Sequence, residues 1–210
     1  MKNILDCLNW RYAVKKFNSN KKVSNENLEK ILQGFTLTAS SFNLQPWWIV
    51  VVENQELKDK LFEYSYYQEQ IKDCSHLLVL CRKTDLSEKL VDDLIDSLVE
   101  KSGMKKNNFE SYENMMRWFL SRLDDNRKIS WAEKQVYIAL GNLLDVCACL
   151  EIDSCPMEWF DKQKYDEILN LQEKWLSSVL VLPIGYRAED DKYATIPKHR
   201  YDLDDLVIKM

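Results

Sequence analysis

The stretch from Ser130 to Leu150 limits the fold more than any other part of the chain. Ser130-Trp-Ala-Glu133 has the spacing of a capping box, in which a hydroxyl and a carboxylate each satisfy a backbone N–H at a helix start. Beyond it Val136, Ile138, Leu140, Leu143, Leu144, Val146 and Leu150 put apolar groups on nearly every side of the helix. Such a helix has no face suited to water, so other elements must surround it. Strands supply some of that cover. Trp48–Val52 and Leu77–Cys81 are short apolar runs, as is Ser177–Ile184, which Gly185-Tyr186 ends. The pattern predicts an α+β fold, a small mixed sheet wrapped by helices around a long buried central helix.

The remaining helices follow from spacing and caps. One covers Asn3–Trp10, with Ile4, Leu5 and Leu8 on one side. Ser24 or Asn25 caps the next, in which Leu28, Ile31, Leu32 and Phe35 recur at helical intervals. Gln55–Tyr67 reads as helical. Residues 86–99 place Leu86, Leu90, Leu94, Ile95 and Leu98 on one face, with Gly103 as the stop. A further helix runs from Tyr112 to Leu123. With four glycines and four prolines in 210 residues there is little material for linkers, and residues 1–210 read as one domain.

Charge and cysteines exclude several classes. A net charge of −5, mixed along the chain, does not suit a protein that binds nucleic acid through bulk charge. No apolar run approaches the roughly 20 residues of a membrane span. The opening MKNILDCLNW carries Asp6 and no small-residue cleavage site, unlike a secretory signal. Six cysteines show no Cys-x-x-Cys pairing, and Cys147 and Cys149 fall on nearly opposite helix faces. Reduced thiols in a cytoplasmic protein are the expectation. Cys74 and His76 read as a buried thiol and a hydrogen-bonded imidazole rather than a reactive pair.

Three polar segments remain that core packing does not explain: Arg11-Tyr-Ala-Val-Lys15-Lys-Phe17, Ser40-Ser41-Phe-Asn43-Leu-Gln45-Pro46-Trp47, and Pro197-Lys198-His-Arg200. Arg11, Lys198 and Arg200 would suffice to grip a phosphate if they met. Ser40, Ser41, Asn43 and Gln45 offer donors and acceptors to a heterocycle edge. Taken singly, a Lys-x-Arg reads first as a solvated surface pair, and a Ser/Asn turn equally satisfies its own backbone.

In order along the chain, these segments resemble the nitroreductase family, as do Lys-Gln-Val-Tyr in the central helix, Pro156-Met157-Glu158-Trp159-Phe160-Asp161 and the closing Ala194-Thr-Ile-Pro-Lys198-His-Arg200. The likeness is greatest to the oxygen-insensitive NAD(P)H nitroreductase and dihydropteridine reductase branch. It implies a homodimer with FMN at the subunit interface, reduced by NADH or NADPH and passing a hydride by a ping-pong mechanism to small acceptors such as nitroaromatics or quinones. Arg11, Lys198 and Arg200 would then hold the phosphate, with Tyr12 and Ala13 in the same site. Lys15 would lie at the pyrimidine edge of the ring. Ser40, Ser41 and Asn43 would come from the partner subunit and Gln135 from the central helix. Pro156, Met157 and Glu158 would line one ring face. No protein acid or base is required, since the chemistry lies on the flavin. Four positions depart from or vary within the family's pattern: Ala13 replaces a usual Ser, Tyr67 an Asn and Trp159 a Gly, while Gln70 stands where Lys or Gln is usual. A flavin carrier or sensor with little turnover is the alternative that Trp159 permits, and a cysteine-dependent hydrolase is a weaker one.

Overall fold

Residues 3–210 are described by the computed structural model; Met1 and Lys2 of the opening segment lie outside the described residues. The side chain of Asn3 caps α1 (Ile4–Trp10) by accepting from the Leu5 N–H at 3.0 Å. Ser24 caps α2 (Asn25–Thr36), whose Leu28, Ile31 and Phe35 are buried. After β1 (Trp47–Val52), the predicted Gln55–Tyr67 helix divides. α3 (Gln55–Glu63) stops, and α4 (Gln70–Asp73) begins after a turn in which Tyr66 and Tyr67 have φ of 52° and 56°. Helical φ is negative, so two successive left-handed residues break the ladder.

Next come β2 (His76–Lys83), α5 (Lys89–Ser102) ending at the left-handed Gly103, and α6 (Glu110–Ser121). The central helix, α7 (Asp125–Cys149), starts six residues earlier than the Ser130 capping box predicts. Asp124 caps it, accepting from the Arg127 N–H at 2.9 Å, so Ser130 falls inside the helix. Then follow β3 (Asp153–Ser154), α8 (Lys162–Ile168), β4 (Leu176–Gly185) and α9 (Leu203–Leu206).

The four strands lie in the order β1-β2-β4-β3. All three pairings are antiparallel, which corrects the mixed sheet expected above. The reason lies in the long connection from β2 to β4. Residues 153–157 run back along β4 from Gly185 to Val181, so β4 begins opposite Lys83, where β2 stops. The parallel contact among the described residues is the isolated bridge between Ala13 and Ser154.

Both faces of the sheet are buried, as the unbroken apolar runs require. Leu78 and Leu80 pack with α2 and α7, while Leu77, Val79 and Cys81 face α3, α4 and α8. A third cluster joins α5 and α6 to the start of α7 through Ile95, Met116 and Trp131. Arg117 ties α5 to α6 by ion pairs to Glu88, Asp92 and Glu113. Helices α2 and α7 cross closely at Gly34, where a Cβ would meet Val146 Cγ2 at 2.7 Å. In one chain α7 is covered on one side, and Tyr137, Ile138, Gly141 and Cys149 remain exposed. Among the described residues no helix is long and apolar enough to cross a membrane.

Candidate functional site

Asp191 joins the two ends of the chain. The carboxyl Oδ2 accepts from the Tyr12 hydroxyl at 2.9 Å and from the Lys15 and Lys16 N–H groups at 3.0 and 3.2 Å. Its Oδ1 accepts from the Tyr193 N–H at 3.0 Å. Burial pushes this carboxyl up, but the hydrogen bonds from Tyr193, Lys15, Tyr12 and Lys16 outweigh it and hold the pKa below its ordinary value. Residues 16–18 run beside 186–188, with the Asn18 N–H bonded to the Tyr186 carbonyl at 2.8 Å and the Ala188 N–H to the Lys16 carbonyl at 2.9 Å. Arg187 adds a forked contact to Asp153, 2.6 Å at the shortest, and lies over the rings of Trp10 and Tyr12. The Arg11–Phe17 segment is thereby fixed beside β3 and the residues that follow β4.

This fastening brings Arg11, Lys198 and Arg200 around one cavity of about 380 Å³, with Tyr12, Ala13 and Pro197 in its wall. The Arg11 Nε is buried and has no hydrogen-bond partner. Burial, then repulsion from Arg200, lowers the pKa of Arg11; burial, then Arg11 and Arg200, does the same to Lys198. Lys198 also donates to the Leu8 carbonyl at the end of α1. Three cations that repel one another, one with an orphaned donor, fit an anion that accepts several hydrogen bonds at once. A phosphate has that chemistry.

A second cavity, of about 610 Å³, is lined in part by the same N-terminal segment. Lys15, Pro156, Met157, Glu158, Trp159 and Leu180 of β4 are among its lining residues. Met157 is held by paired backbone bonds to Val181, both 2.9 Å. The Tyr137 hydroxyl on α7 donates to Glu158 Oε1 at 2.5 Å, and burial with that bond pushes the phenol up to about 12. The walls are apolar and polar in turn, suited to a flat ring system with a polar edge.

Not all expected residues are gathered there. Ser40, Ser41 and Asn43 form a separate turn with left-handed Phe42 and Asn43, outside both cavities. Gln135 lies buried beneath it, accepting from the Ser41 N–H at 2.9 Å and donating to the Trp131 carbonyl at 3.1 Å. Tyr67 packs edge-on against Phe62 and Gln70 opens α4, so neither lines the large cavity; Gln68 does. Sequence reasoning missed Gln68, Asp191 and the Arg187–Asp153 pair. An acidic residue just ahead of a turn was the available signal for Asp191. Cys74 donates to the Ile71 carbonyl, and His76 pairs with Ser75 rather than with the thiol.

A sequence model described as the nitroreductase family matches residues 8–186. The chain belongs to the nitroreductase family. Among curated relatives of this nitroreductase, YfkO of Bacillus subtilis, provisionally named an NAD(P)H nitroreductase, is 36% identical over 97% of this chain and 96% of its own. The major NAD(P)H-flavin oxidoreductase of Aliivibrio fischeri is 31% identical, over 97% of each chain. Among solved structures, a nitroreductase-like protein of Exiguobacterium sibiricum in complex with FMN superposes with a TM-score of 0.85 at 20% identity, covering all of this chain and 98% of its own.

Proposed function

We propose that this nitroreductase is an FMN-dependent enzyme that oxidises NADH or NADPH and reduces small acceptors such as nitroaromatics or quinones, the two substrates taking turns in one pocket. The observation that carries the reading is the buried, unpartnered Arg11 Nε in a clamp with Lys198 and Arg200. The names of the family relatives support it. Bound FMN would supply the two-electron chemistry that links the nicotinamide to the acceptor. The chain's own residues bind and orient. Arg11, Lys198 and Arg200 would hold the phosphate, and Lys15 would face the ring edge that gains negative charge on reduction, favouring the reduced form electrostatically. Pro156, Met157 and Glu158 would form the floor.

The whole chain would act as one flavin-binding unit in a homodimer. Exposed Ile4, Leu5 and Leu8 on α1, Tyr137 and Ile138 on α7, and Leu203, Leu206 and Ile208 near the C-terminus supply apolar surface for a partner. The partner's Ser40–Asn43 turn would complete each site, with Gln135 holding that turn in place. A cytoplasmic location suits the buried thiols of Cys7, Cys74, Cys81, Cys147 and Cys155. The rival reading is a flavin carrier with little turnover; it rests on Trp159, which stands 76% exposed at the large cavity.

The test is the visible spectrum of the purified protein after loading with FMN and removal of excess, followed by NAD(P)H oxidation with menadione. Retained flavin with turnover is expected. Retained flavin without turnover selects the carrier, and a folded colourless protein overturns both.

A further inference from the structure

We propose that Gln68 is a positioning residue that sets acceptor selectivity, by holding Trp159 as a stacking platform for planar aromatic acceptors at the rim of the large cavity. The inference rests on the flavin reading above. Trp159 lines the cavity yet remains 76% exposed, so it forms the rim and not the floor. Its ring meets that of Tyr66 at 5.9 Å between centroids, and Tyr66 is itself 64% exposed. An exposed indole has many rotamers available, and one fixed by a neighbour offers its face to a flat ligand with less ordering to be done on binding.

The backbone around the pair is stitched in two places. The Asp161 N–H donates to the Tyr64 carbonyl at 2.8 Å, and Gln68 Nε2 donates to the Ser65 carbonyl at 3.0 Å and to the Trp159 carbonyl at 2.8 Å. A carboxamide nitrogen carries two hydrogens, and here one goes to each segment. Beneath them Ser65 is buried, bonded to the Leu61 carbonyl at 2.7 Å and the Tyr165 hydroxyl at 2.6 Å. Tyr66 and Tyr67 both hold positive φ, a conformation that bulky residues adopt only where the surroundings enforce it. Strain kept in a loop that touches a cavity rim points to function rather than to packing.

Neither hydrogen of the Gln68 amide can be replaced by Met or Glu. Gln68→Met removes both donors at similar length. Gln68→Glu sets a carboxylate against two carbonyl oxygens and drives the segments apart. Freed from Gln68, Trp159 would no longer discriminate by ring size. The experiment compares FMN-loaded parent, Gln68→Met, Gln68→Glu and Tyr66→Leu. It takes the ratio of kcat/KM for two-ring menadione to that for three-ring anthraquinone-2-sulfonate, alongside the 19F resonance of Trp159 in 5-fluorotryptophan-labelled protein, assigned by its loss in Trp159→Phe.

A rise in the ratio of roughly tenfold, the scale on which pocket contacts discriminate, is expected in the Gln68 variants because the three-ring acceptor loses more stacked area, together with a shifted or split Trp159 resonance. Tyr66→Leu, which leaves the backbone stitches in place, should shift the ratio less and keep one resonance. An unchanged ratio and resonance in a Gln68 variant that retains flavin overturns the proposal while leaving the enzyme reading intact. A parent that retains no flavin overturns the enzyme reading first, and the acceptor claim with it.

Discussion

Burying the Arg11 guanidinium beside Arg200, with its Nε lacking an acceptor, disfavours the folded chain until an anion enters the clamp. Arg11→Met should therefore raise the melting temperature of flavin-free protein while weakening FMN binding. Arg200→Ala should weaken binding by about 1.5–3 kcal/mol, the range for hydrogen bonds to charged groups. Fluorescence titration with FMN and thermal melts check both, and unaltered affinity in Arg200→Ala would remove that residue from the clamp. His76 is a second residue whose burial has a measurable outcome. Burial lowers its pKa; Glu53 opposes this, and Lys58 and Lys22 add to it. The unfolded chain thus takes up the proton first, and stability falls as pH drops below about 6.5. His76→Gln should reduce the loss seen in denaturant midpoints between about pH 7.5 and about pH 5.5. An identical loss in parent and variant would place the acid sensitivity elsewhere. Arg11 and Lys198 stood out in the sequence because they are charged beside irregular segments. Asp191 did not, because its role depends on Tyr12, Lys15 and Lys16, whose proximity only the fold creates.

Elements show the same division between local and distant causes. α5 ends at Gly103 as read, since a left-handed stop is a property of one residue. α3 ends at Glu63 and not Tyr67, because contacts from Ser65 and Gln68 to residues beyond position 158 favour a turn over another helical step. α7 was legible from its apolar pattern, but its start was not. Asp124 and Ser130 both offer caps, and Trp131 must reach the α5–α6 cluster, which the longer helix allows. The antiparallel sheet depends on where residues 153–157 return, which no local pattern encodes. At the α2–α7 crossing, Gly34→Ala should lower stability by roughly 1–3 kcal/mol, the usual cost of overpacking, because a β-branched Val146 has few rotamers with which to yield. Adding Val146→Ala should recover part of the loss. If Gly34→Ala alone leaves the denaturation midpoint unchanged, the helices can separate there at no cost.

At the scale of the whole molecule, the proposed completion of the site by a partner would make cofactor retention depend on protein concentration. Sedimentation should show a dimer at micromolar concentration, and dilution into the monomer range should release FMN in step with dissociation. A monomer that keeps its flavin would sink the shared-site reading. The clamp carries one more consequence, through the Tyr12–Asp191 bond that spans 179 positions of sequence. Arg11 is synthesised well before Lys198 and Arg200. The buried core around α7 uses residues up to Ile184, whereas the anion seat needs Lys198 and Arg200 as well. The proposed seat would therefore form only once Lys198 and Arg200 join Arg11, and removing the segment from Lys198 onward would keep most of the core while losing the seat.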